Sequence, residues 1–332
     1  MEDKQGMNVK IILLAGTAVA AAVVGLTSWV YAQDPDFPKT HIKLILGFAP
    51  GTGSDILGRV LVDKLSRELP PGVVAENRPG AGGRIGTKQV VDAQPDGHTV
   101  VLGTNATLIV GPLLSANAPY RAERDLAPIS MVGRTNMVLV VSAEKGPKTL
   151  DELVERLRKE HLTFASAGAG TMGHLSSELL LMAAKAKAGH VAYRGSSQSL
   201  TDVLRGEVAF AIDTAVAVLP FTQNGTLRAL AVTGTDRLKT LPDIKTFGEQ
   251  GMPGLEIYAW WAVLAPAATP AGVVKKLGDE IEKAVAAEDV RARMKTMEVE
   301  PLILRGENLR AFMVKETVFW ENFVSKSGLR MN

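Results

Sequence analysis

Two segments rich in glycine, serine and threonine carry the residues best suited to ligand chemistry in this chain of 332 residues. The first (51–55, Gly-Thr-Gly-Ser-Asp) follows an apolar run, and so does the second (166–171, Ser-Ala-Gly-Ala-Gly-Thr). Apolar residues at helical spacing follow each segment, so each is predicted to join a strand to a helix. The backbone N–H groups at such a helix start have no helical partner, and the helix dipole places about half a positive charge there. The two junctions therefore predict binding of a small anion, of which carboxylate is the simplest.

Other kinds of active site find little support in the sequence. Position 56 is isoleucine, so the dinucleotide-binding pattern fails after Gly51 and Gly53, and no phosphate-binding P-loop pattern occurs. The nucleophile elbow of serine hydrolases is absent, because Phe164 stands where its first glycine would precede Ser166. The chain has no cysteine, and its five histidines form no pair at zinc-binding spacing. No metal site or cofactor is predicted.

Strands alternate with helices along the chain, which predicts an α/β fold with largely parallel sheets. Strands are expected at 42–47, 73–76, 99–103, 138–142, 162–166, 191–193, 208–212, 229–232 and 258–265. A capping box at 149–152 opens one helix, and Asn308 is expected to cap the last helix, which runs to about Lys326. The predicted domains are a first lobe from 33–137 plus 234–332, and a second lobe from 138–233.

Composition excludes several classes of protein. The chain is 46% hydrophobic and 22% charged, which is typical of folded globular proteins rather than of disordered ones. Its net charge is +2 without a clustered basic run, so nucleic acid is not an expected partner.

The N-terminal residues follow the order of regions that is typical of a secretory signal peptide. Lys10 precedes an apolar core at 11–26, and Val30-Tyr31-Ala32 places small residues where a signal peptidase cuts. We predict cleavage after Ala32 and a periplasmic location. The alternative is an uncleaved membrane anchor, because the apolar stretch approaches 20 residues if it runs to Val30.

Several motifs together are specific to one family. They are 47–55 (Gly-Phe-Ala-Pro-Gly-Thr-Gly-Ser-Asp), 76–83 (Glu-Asn-Arg-Pro-Gly-Ala-Gly-Gly), 96–99 (Asp-Gly-His-Thr), 166–171 followed by His174, 193–197 (Tyr-Arg-Gly-Ser-Ser), 230–233 (Leu-Ala-Val-Thr), and 260–270 with its paired tryptophans. With them the chain resembles the Bug-type substrate-binding proteins of tripartite tricarboxylate transporters, from about residue 38 to residue 329. Pro50 and Thr52 depart from the usual glycine-rich first loop.

The resemblance implies a fold, a function and a set of partners. The fold would be that of type II periplasmic binding proteins, with two α/β lobes of mainly parallel sheet, a hinge, and a ligand cleft between them. The protein would be a monomer that captures a small organic carboxylate by lobe closure. It would deliver this ligand to the large and small membrane subunits of a permease, and would perform no chemistry and need no cofactor.

The resemblance also implies the ligand contacts. In the first lobe they are Phe48, Ala49, Gly51, Thr52, Gly53 and Asp55; in the second they are Ser166, Gly170, Thr171 and His174, with Tyr193, Arg194, Gly195, Ser196 and Asp213 lining the cleft. Asp213 either reads the far end of the ligand or caps a helix at 214–224. Asp55 either contacts the ligand or orients its own loop, and Trp260 and Trp261 are interpreted as core or hinge aromatics.

Three other functions remain open from the sequence. One is a secreted α/β hydrolase or isomerase that uses Asp55, His174 and Asp213. The second is a receptor that serves a sensor rather than a permease. The third is a scaffold without ligand, which would follow if Pro50 and Thr52 close the site.

Overall fold

The architecture is described for residues 37–115 and 117–327, in a computed structural model. The signal-peptide prediction, with its cut after Ala32, lies outside these residues. Ten strands are present: β1 (Ile42–Leu46), β2 (Val73–Asn77), β3 (Thr99–Thr104), β4 (Leu126–Ser142), β5 (Leu162–Ser166), β6 (Ala188–Ala192), β7 (Phe210–Thr214), β8 (Leu227–Val232), β9 (Tyr258–Pro266) and β10 (Glu300–Pro301).

Helices separate most of these strands, as the alternating pattern predicts. They are α1 (Gly53–Glu68), α2 (Arg84–Val91), α3 (Gly111–Leu114), α4 (Ala122–Asp125), α5 (Leu150–Lys159), α6 (Met172–Ala184), α7 (Ser196–Arg205), α8 (Ala215–Gln223), α9 (Ala271–Ala286), α10 (Glu288–Thr296) and α11 (Gly306–Ser327). A π-helical turn at Ala106–Val110 and 3₁₀ turns at Ala81–Gly83 and Gly248–Gln250 complete the set. The predicted α/β class is confirmed.

The strands form one array in the order β2-β1-β3-β9-β4-β7-β5-β6, with β8 and β10 also paired to β4. The first sheet half contains β1, β2, β3, β9, β10 and the beginning of β4; the second contains β5 to β8 and the end of β4. β4 is much longer than the predicted strand at 138–142, because its first part pairs with β9 from Leu126 to Asn136.

The sheet is mixed rather than mainly parallel. β1 is parallel to β2 and β3, and β5 is parallel to β6 and β7. β9, however, runs antiparallel to β3 and β4, and β4 runs antiparallel to β7 and β8. The physical reason is that β4 carries the chain from the first half to the second and β9 carries it through the first half again, in the opposite direction.

Neighbouring tryptophans pack on opposite faces of β9, because side chains alternate along a strand. Trp261 belongs to the core formed with α1 and α9. Trp260 faces α11, where its Nε1 donates to Glu316 Oε2 at 2.8 Å. The Nε1 of Trp320 lies 3.4 Å from the same oxygen. A carboxylate on α11 therefore holds that helix against the central strand.

Two predicted helix starts have different outcomes. Thr149 caps α5 by accepting the Glu152 N–H at 3.2 Å. Asn308 does not cap α11, which begins two residues earlier at Gly306. The Asn308 N–H instead donates to the carbonyl of Arg305 at 3.1 Å, and that arginine is itself ion-paired with Asp279 on α9 at 2.8 Å.

Glu316 gives a stability prediction. Burial raises the pKa of Glu316, against the lowering effect of the two indole N–H groups. A carboxyl with a raised folded-state pKa stabilises the fold most below its ordinary pKa, and this contribution is lost as pH rises through the raised value. We expect Glu316→Gln, which keeps an acceptor for Trp260, to be more stable than the wild type at pH 7 by about 1 kcal/mol.

Urea unfolding at pH 7 and pH 4 measures this difference, which should shrink at the lower pH. Glu321→Gln is the matched control, because Glu321 is exposed on the same helix. A Glu316→Gln protein that is less stable at pH 7, or a difference independent of pH, would contradict the prediction.

Candidate functional site

The first loop is closed by hydrogen bonds within a single turn. Thr52 is the N-cap of α1, and both its N–H and its Oγ1 donate to the carbonyl of Ala49, at 3.4 and 2.9 Å. One residue earlier, the N–H of Gly51 donates to Asp55 Oδ2 at 3.0 Å. Gly51 has a φ of 82°, a conformation that glycine adopts without strain.

The second loop repeats this arrangement residue for residue. Thr171 is the N-cap of α6, and its N–H and Oγ1 donate to the carbonyl of Gly168 at 3.2 and 2.8 Å. The N–H of Gly170 donates to His174 Nδ1 at 3.0 Å. In both loops the N–H of a glycine donates to a side chain four residues later in the sequence. A threonine then forms the N-cap of the helix that follows. The next N–H groups then face outward from the helix start.

Asp55 is occupied by its own loop. Its Oδ1 accepts from Arg59 Nε at 3.0 Å and from Asn77 Nδ2 at 2.8 Å, and Asn77 Nδ2 also lies 3.0 Å from the Phe48 carbonyl. Burial raises the pKa of Asp55, but the hydrogen bonds from Arg59, Asn77 and Gly51 outweigh it and hold that pKa below its ordinary value. This geometry favours the interpretation in which Asp55 orients the loop.

His174 occupies the corresponding place in the second loop. It is 8% exposed, and its ring stacks on that of His190 with centroids 4.0 Å apart. His190 Nε2 lies 2.7 Å from Ser166 Oγ, which also bonds both polar backbone groups of Gly168. Ser166 and Gly170 are thus bonded within the loop, and His174 supports the loop from the first turn of α6.

A cavity of about 50 Å³ lies between the two sheet halves. This volume exceeds the roughly 10–15 Å³ that a cavity needs to hold one water. Its lining is Phe48, Thr52, Gly53, Ser54, Thr104, Ala106, Met137, Ala167, Thr171, Met172, Gly173, Ser196, Asp213, Thr214, Ala259 and Trp261. The N-termini of α1, α6, α7 and α8 all meet here, so the two helix starts predicted from sequence are joined by two more.

The lining combines neutral donors with one acid. Asp213 is the single ionisable side chain among the lining residues, and it is 7% exposed. Its Oδ1 accepts from the Thr214 N–H at 2.7 Å. Burial raises the pKa of Asp213, against the lowering effect of Ser196 and Thr214. Ser196 Oγ is buried at the cavity wall, close enough to the Asp213 carboxyl to lower its pKa.

Asp213 does not cap a helix. α8 begins at Ala215 and its N-cap is Thr214, so the capping interpretation of Asp213 is wrong. The aspartate is instead the penultimate residue of β7, one residue before the cap, and it lines the cavity.

Six of the predicted contacts line the cavity, namely Phe48, Thr52, Gly53, Thr171, Ser196 and Asp213. Ala49, Gly51 and Gly195 lie where the sheet halves touch: a Cβ added at Gly195 would stand 3.2 Å from the Ala49 Cβ. The Tyr193 hydroxyl donates to Asp202 on α7 at 2.7 Å, and Arg194 is exposed. Contact of these outer residues with a ligand stays a prediction.

The sheet halves approach so closely that only glycine fits at one point of contact. A Cβ added at Gly53 would lie 2.6 Å from Thr214 Oγ1, closer than carbon and oxygen can pack. The start of α1 therefore packs directly against the start of α8, and the two sheet halves touch at this point.

Several lining residues were not predicted, among them Ser54, Thr104, Thr214 and Trp261. Thr104 and Thr214 are the last residues of β3 and β7, and ligands of α/β sheets bind beyond the carboxyl ends of strands. That rule is the signal that could have found them. Trp261 is a core aromatic as expected, but its Nε1 also donates to Ser54 Oγ at 2.8 Å and so fixes a hydroxyl in the cavity wall.

Within residues 37–115 and 117–327, no group of three histidine, aspartate or glutamate side chains is placed to hold a metal ion. In the same part of the chain, no helix has both the length and the apolarity needed to cross a bilayer.

Comparison with known proteins identifies relatives along nearly the whole chain. A sequence profile of the tripartite tricarboxylate transporter family receptor matches residues 57–329. BugT of Bordetella pertussis is 33% identical over 322 residues, which cover 96% of this chain and 98% of that protein. A UPF0065 protein from the tcbD-tcbE intergenic region of Pseudomonas sp. strain P51 is 36% identical over 324 residues, covering 96% and 95%.

Solved structures share the fold. The periplasmic binding protein BugD has a TM-score of 0.85 and 30% identity, covering 89% of this chain and all of its own. A protein of R. palustris solved with adipate has a TM-score of 0.84 and 26% identity, covering 89% and 99%. MatC of Rhodopseudomonas palustris, with bound malate, has a TM-score of 0.80 and 27% identity, covering 87% and 100%. The predicted periplasmic-binding-protein fold is confirmed.

Replacing Asp55 tests how the first loop is held. The lowered pKa of Asp55 means that its contribution to stability is complete above the ordinary pKa and is lost as pH falls through the lowered value. We expect Asp55→Asn to cost about 1.5–3 kcal/mol at pH 7, the usual worth of hydrogen bonds to a charged group. Urea unfolding at pH 7 and pH 3 should show the difference shrinking in acid.

The control is Asp63→Asn on the same helix, whose exposed ion pair with Arg293 spans 3.1 Å. Loss of that exposed pair should cost less than about 0.5–1 kcal/mol. Equal costs for the two variants would show that Asp55 does not hold the loop.

Proposed function

The chain belongs to the tripartite tricarboxylate transporter receptor family, and on this premise we propose that it captures a small organic carboxylate by lobe closure and delivers it to a membrane permease. The family is one of solute-binding receptors rather than of enzymes. The proposed protein is a periplasmic monomer that changes the location of its ligand and not the ligand's bonds.

The observation that carries this proposal is the convergence of helix N-termini on one cavity. Thr52, Gly53 and Ser54 reach it from the first half, and Thr171 and Gly173 reach it from the second. Backbone N–H groups at helix starts can bind a carboxylate without a basic side chain, and no basic side chain lines this cavity. An anion bound here would be shared by both halves.

The hinge follows from how the chain passes between the halves. The proposed lobes are 33–137 with 234–332, and 138–233, so the chain crosses near Met137 and again near Thr233. These crossings are bonded to each other: the Met137 N–H donates to Thr233 Oγ1 at 2.8 Å, and the Thr233 N–H donates to the Met137 carbonyl at 2.9 Å. Rotation at this joined point would open the cavity without breaking either sheet half.

Ligand binding then works as a shift of population. A carboxylate that contacts both halves stabilises the closed arrangement relative to the open one by its differential affinity. The permease would recognise the closed form, in which the surface presented by the two halves is fixed. Because the closed cavity is only about 50 Å³, entry of a ligand needs the halves to separate.

The ligand class is proposed from the cavity and from the relatives together. Adipate and malate accompany two of the related structures, and both are dicarboxylates. In this chain, one end of a ligand would meet the helix starts, whereas Asp213 would meet the other. An ionised Asp213 accepts hydrogen bonds and repels a second carboxylate, so it favours an acid with an amide, hydroxyl or ammonium group at its far end.

A thermal-shift screen of carboxylic acids tests the proposal. It would include adipate, malate, their monoamides, amino acids and aromatic acids. A ligand at 100 times its dissociation constant stabilises the fold by about 2.7 kcal/mol, which raises the melting temperature of domains of this size by roughly 5–10 °C. We expect at least one acid to do so, and Thr171→Val to reduce its shift, with Thr201→Val on α7 as control.

Absence of any shift, with no ligand retained through purification in native mass spectrometry, would contradict the proposal. Turnover of a bound acid, followed by mass spectrometry of the solution, would favour the secreted hydrolase or isomerase instead.

Asp213→Asn tests the selectivity of the far end. The variant cannot carry a negative charge and it adds N–H donors, so it should bind adipate better, relative to the monoamide of adipate, than the wild type does. A change of about tenfold or more in the ratio of the two affinities is expected from one hydrogen bond to a charged group. Calorimetry at pH 7.5 measures both affinities, and Asp151→Asn, exposed on α5, is the control. An unchanged ratio would remove Asp213 from ligand selection.

A further inference from the structure

We propose that His174 is a positioning residue whose protonation releases the second loop, so that acid disables one side of the cavity and spares the other. The consequence for ligand capture rests on the proposed function. The contact between the histidine and the loop does not depend on it.

The direction of the Gly170 hydrogen bond fixes the protonation state that the loop needs. His174 Nδ1 accepts from the Gly170 N–H at 3.0 Å, so this nitrogen carries no proton. The ring proton is then on Nε2, which lies 3.6 Å from Glu178 Oε1. A second proton would be placed on Nδ1, directly opposite the Gly170 N–H, and two donors cannot share a hydrogen bond. Protonation therefore breaks the bond that closes the loop.

Two aromatic rings pack against His174. The ring of His190 is nearly parallel to it, with centroids 4.0 Å apart and an interplanar angle of 10°, and the ring of Phe164 lies 6.0 Å from His174 and 4.8 Å from His190. Burial, and then the nearness of His174, lower the pKa of His190 to about 4. The titratable groups that face His174 are thus His190 on β6 and Glu178 on its own helix, while Phe164 on β5 is apolar.

The stacked rings of His174 and His190 contact both ends of the loop 166–171. His190 Nε2 lies 2.7 Å from Ser166 Oγ at the end of β5, and His174 holds Gly170 just before α6. A charge on His174 would disturb both attachments, because a cation beside the second ring changes the stack as well as the hydrogen bond. The loop 166–171 would then lose its position relative to the first turn of α6.

The first loop lacks this sensitivity. Its equivalent hydrogen bond, from the Gly51 N–H, ends on Asp55, whose pKa is below its ordinary value because Arg59, Asn77 and Gly51 bond it despite its burial. Protonation of the imidazole therefore acts on the histidine-held loop, while the carboxylate of Asp55 still accepts the hydrogen bond that closes the other loop.

The consequence for the site is asymmetric. In acid the first half would keep its contacts at Thr52 and Gly53, whereas the second half would lose the alignment of Thr171 and Gly173. Because closure depends on contacts to both halves, a ligand held by one half alone no longer favours the closed form. Mild acid would therefore release the ligand by weakening its contacts to the second half.

Amide NMR of the purified protein without ligand tests the inference. The Gly170 and Gly51 amide resonances would be followed from pH 7.5 to pH 4.5. We expect the Gly170 resonance to move as the pH falls and the Gly51 resonance to stay constant. In His174→Asn, the side-chain Oδ1 replaces Nδ1 as a non-titrating acceptor, so the Gly170 resonance should also stay constant over this range. His161→Gln, an exposed histidine elsewhere in the second half, should behave as the wild type does.

Two results would overturn the inference. One is a Gly170 titration in His174→Asn that matches the wild type, and the other is a common movement of Gly170 and Gly51. Should His174→Asn fail to fold, the wild-type imidazole nitrogens decide the matter, because His174 Nδ1 and the Gly170 amide must titrate together. None of these readouts needs a ligand, so a failed carboxylate screen would reject the proposed function and leave this inference standing.

Discussion

The site depends on one kind of hydrogen bond, which a glycine N–H donates to the side chain four residues later in the sequence. It occurs twice, from Gly51 to Asp55 and from Gly170 to His174, and each time it bends the backbone tightly before a helix. The bend is what leaves the first N–H groups of the helix facing a cavity instead of the loop. A small anion therefore meets a pattern of donors that is set before it arrives, which reduces the entropy lost on binding.

Binding an anion through helix N-termini rather than through charged side chains has an energetic advantage. A lysine or arginine between two closing halves would be buried without a partner whenever the ligand is absent, at a cost of several kcal/mol. Neutral N–H and hydroxyl groups carry a much smaller penalty, so the halves can close and open readily. The one ionisable group in the lining, Asp213, then has a strong influence, since no lining cation screens it.

Local sequence patterns predict the features of the structure that neighbouring residues determine. The loops at 51–55 and 166–171 and the capping box at Thr149 follow from hydroxyl and glycine residues beside apolar runs, and the structure contains them. The beginning of β4 is different, because Pro128 and Gly133 interrupt its sequence and its pairing partner lies more than 120 residues away in β9. Thr104 and Thr214 are likewise ordinary threonines until strand order brings their strand ends to one cavity. The sequence pattern does not show which way Asp55 and His174 face, since a ligand contact and a loop anchor use the same residue types.

The order of strands also determines when each half can form as the chain emerges with its N-terminus first. The second half is formed by one continuous stretch, from Met137 in the later part of β4 to Val232 at the end of β8. All its strands are therefore present once residue 232 has emerged. The first half has β9 at its centre, between β3 and β4, and that strand begins only at Tyr258. Until then β3 and β4 have an unfilled gap between them, with edges open to wrong pairing. The half that is inserted in the chain is thus the one that can fold first, and the half that begins the chain must wait for its own middle strand.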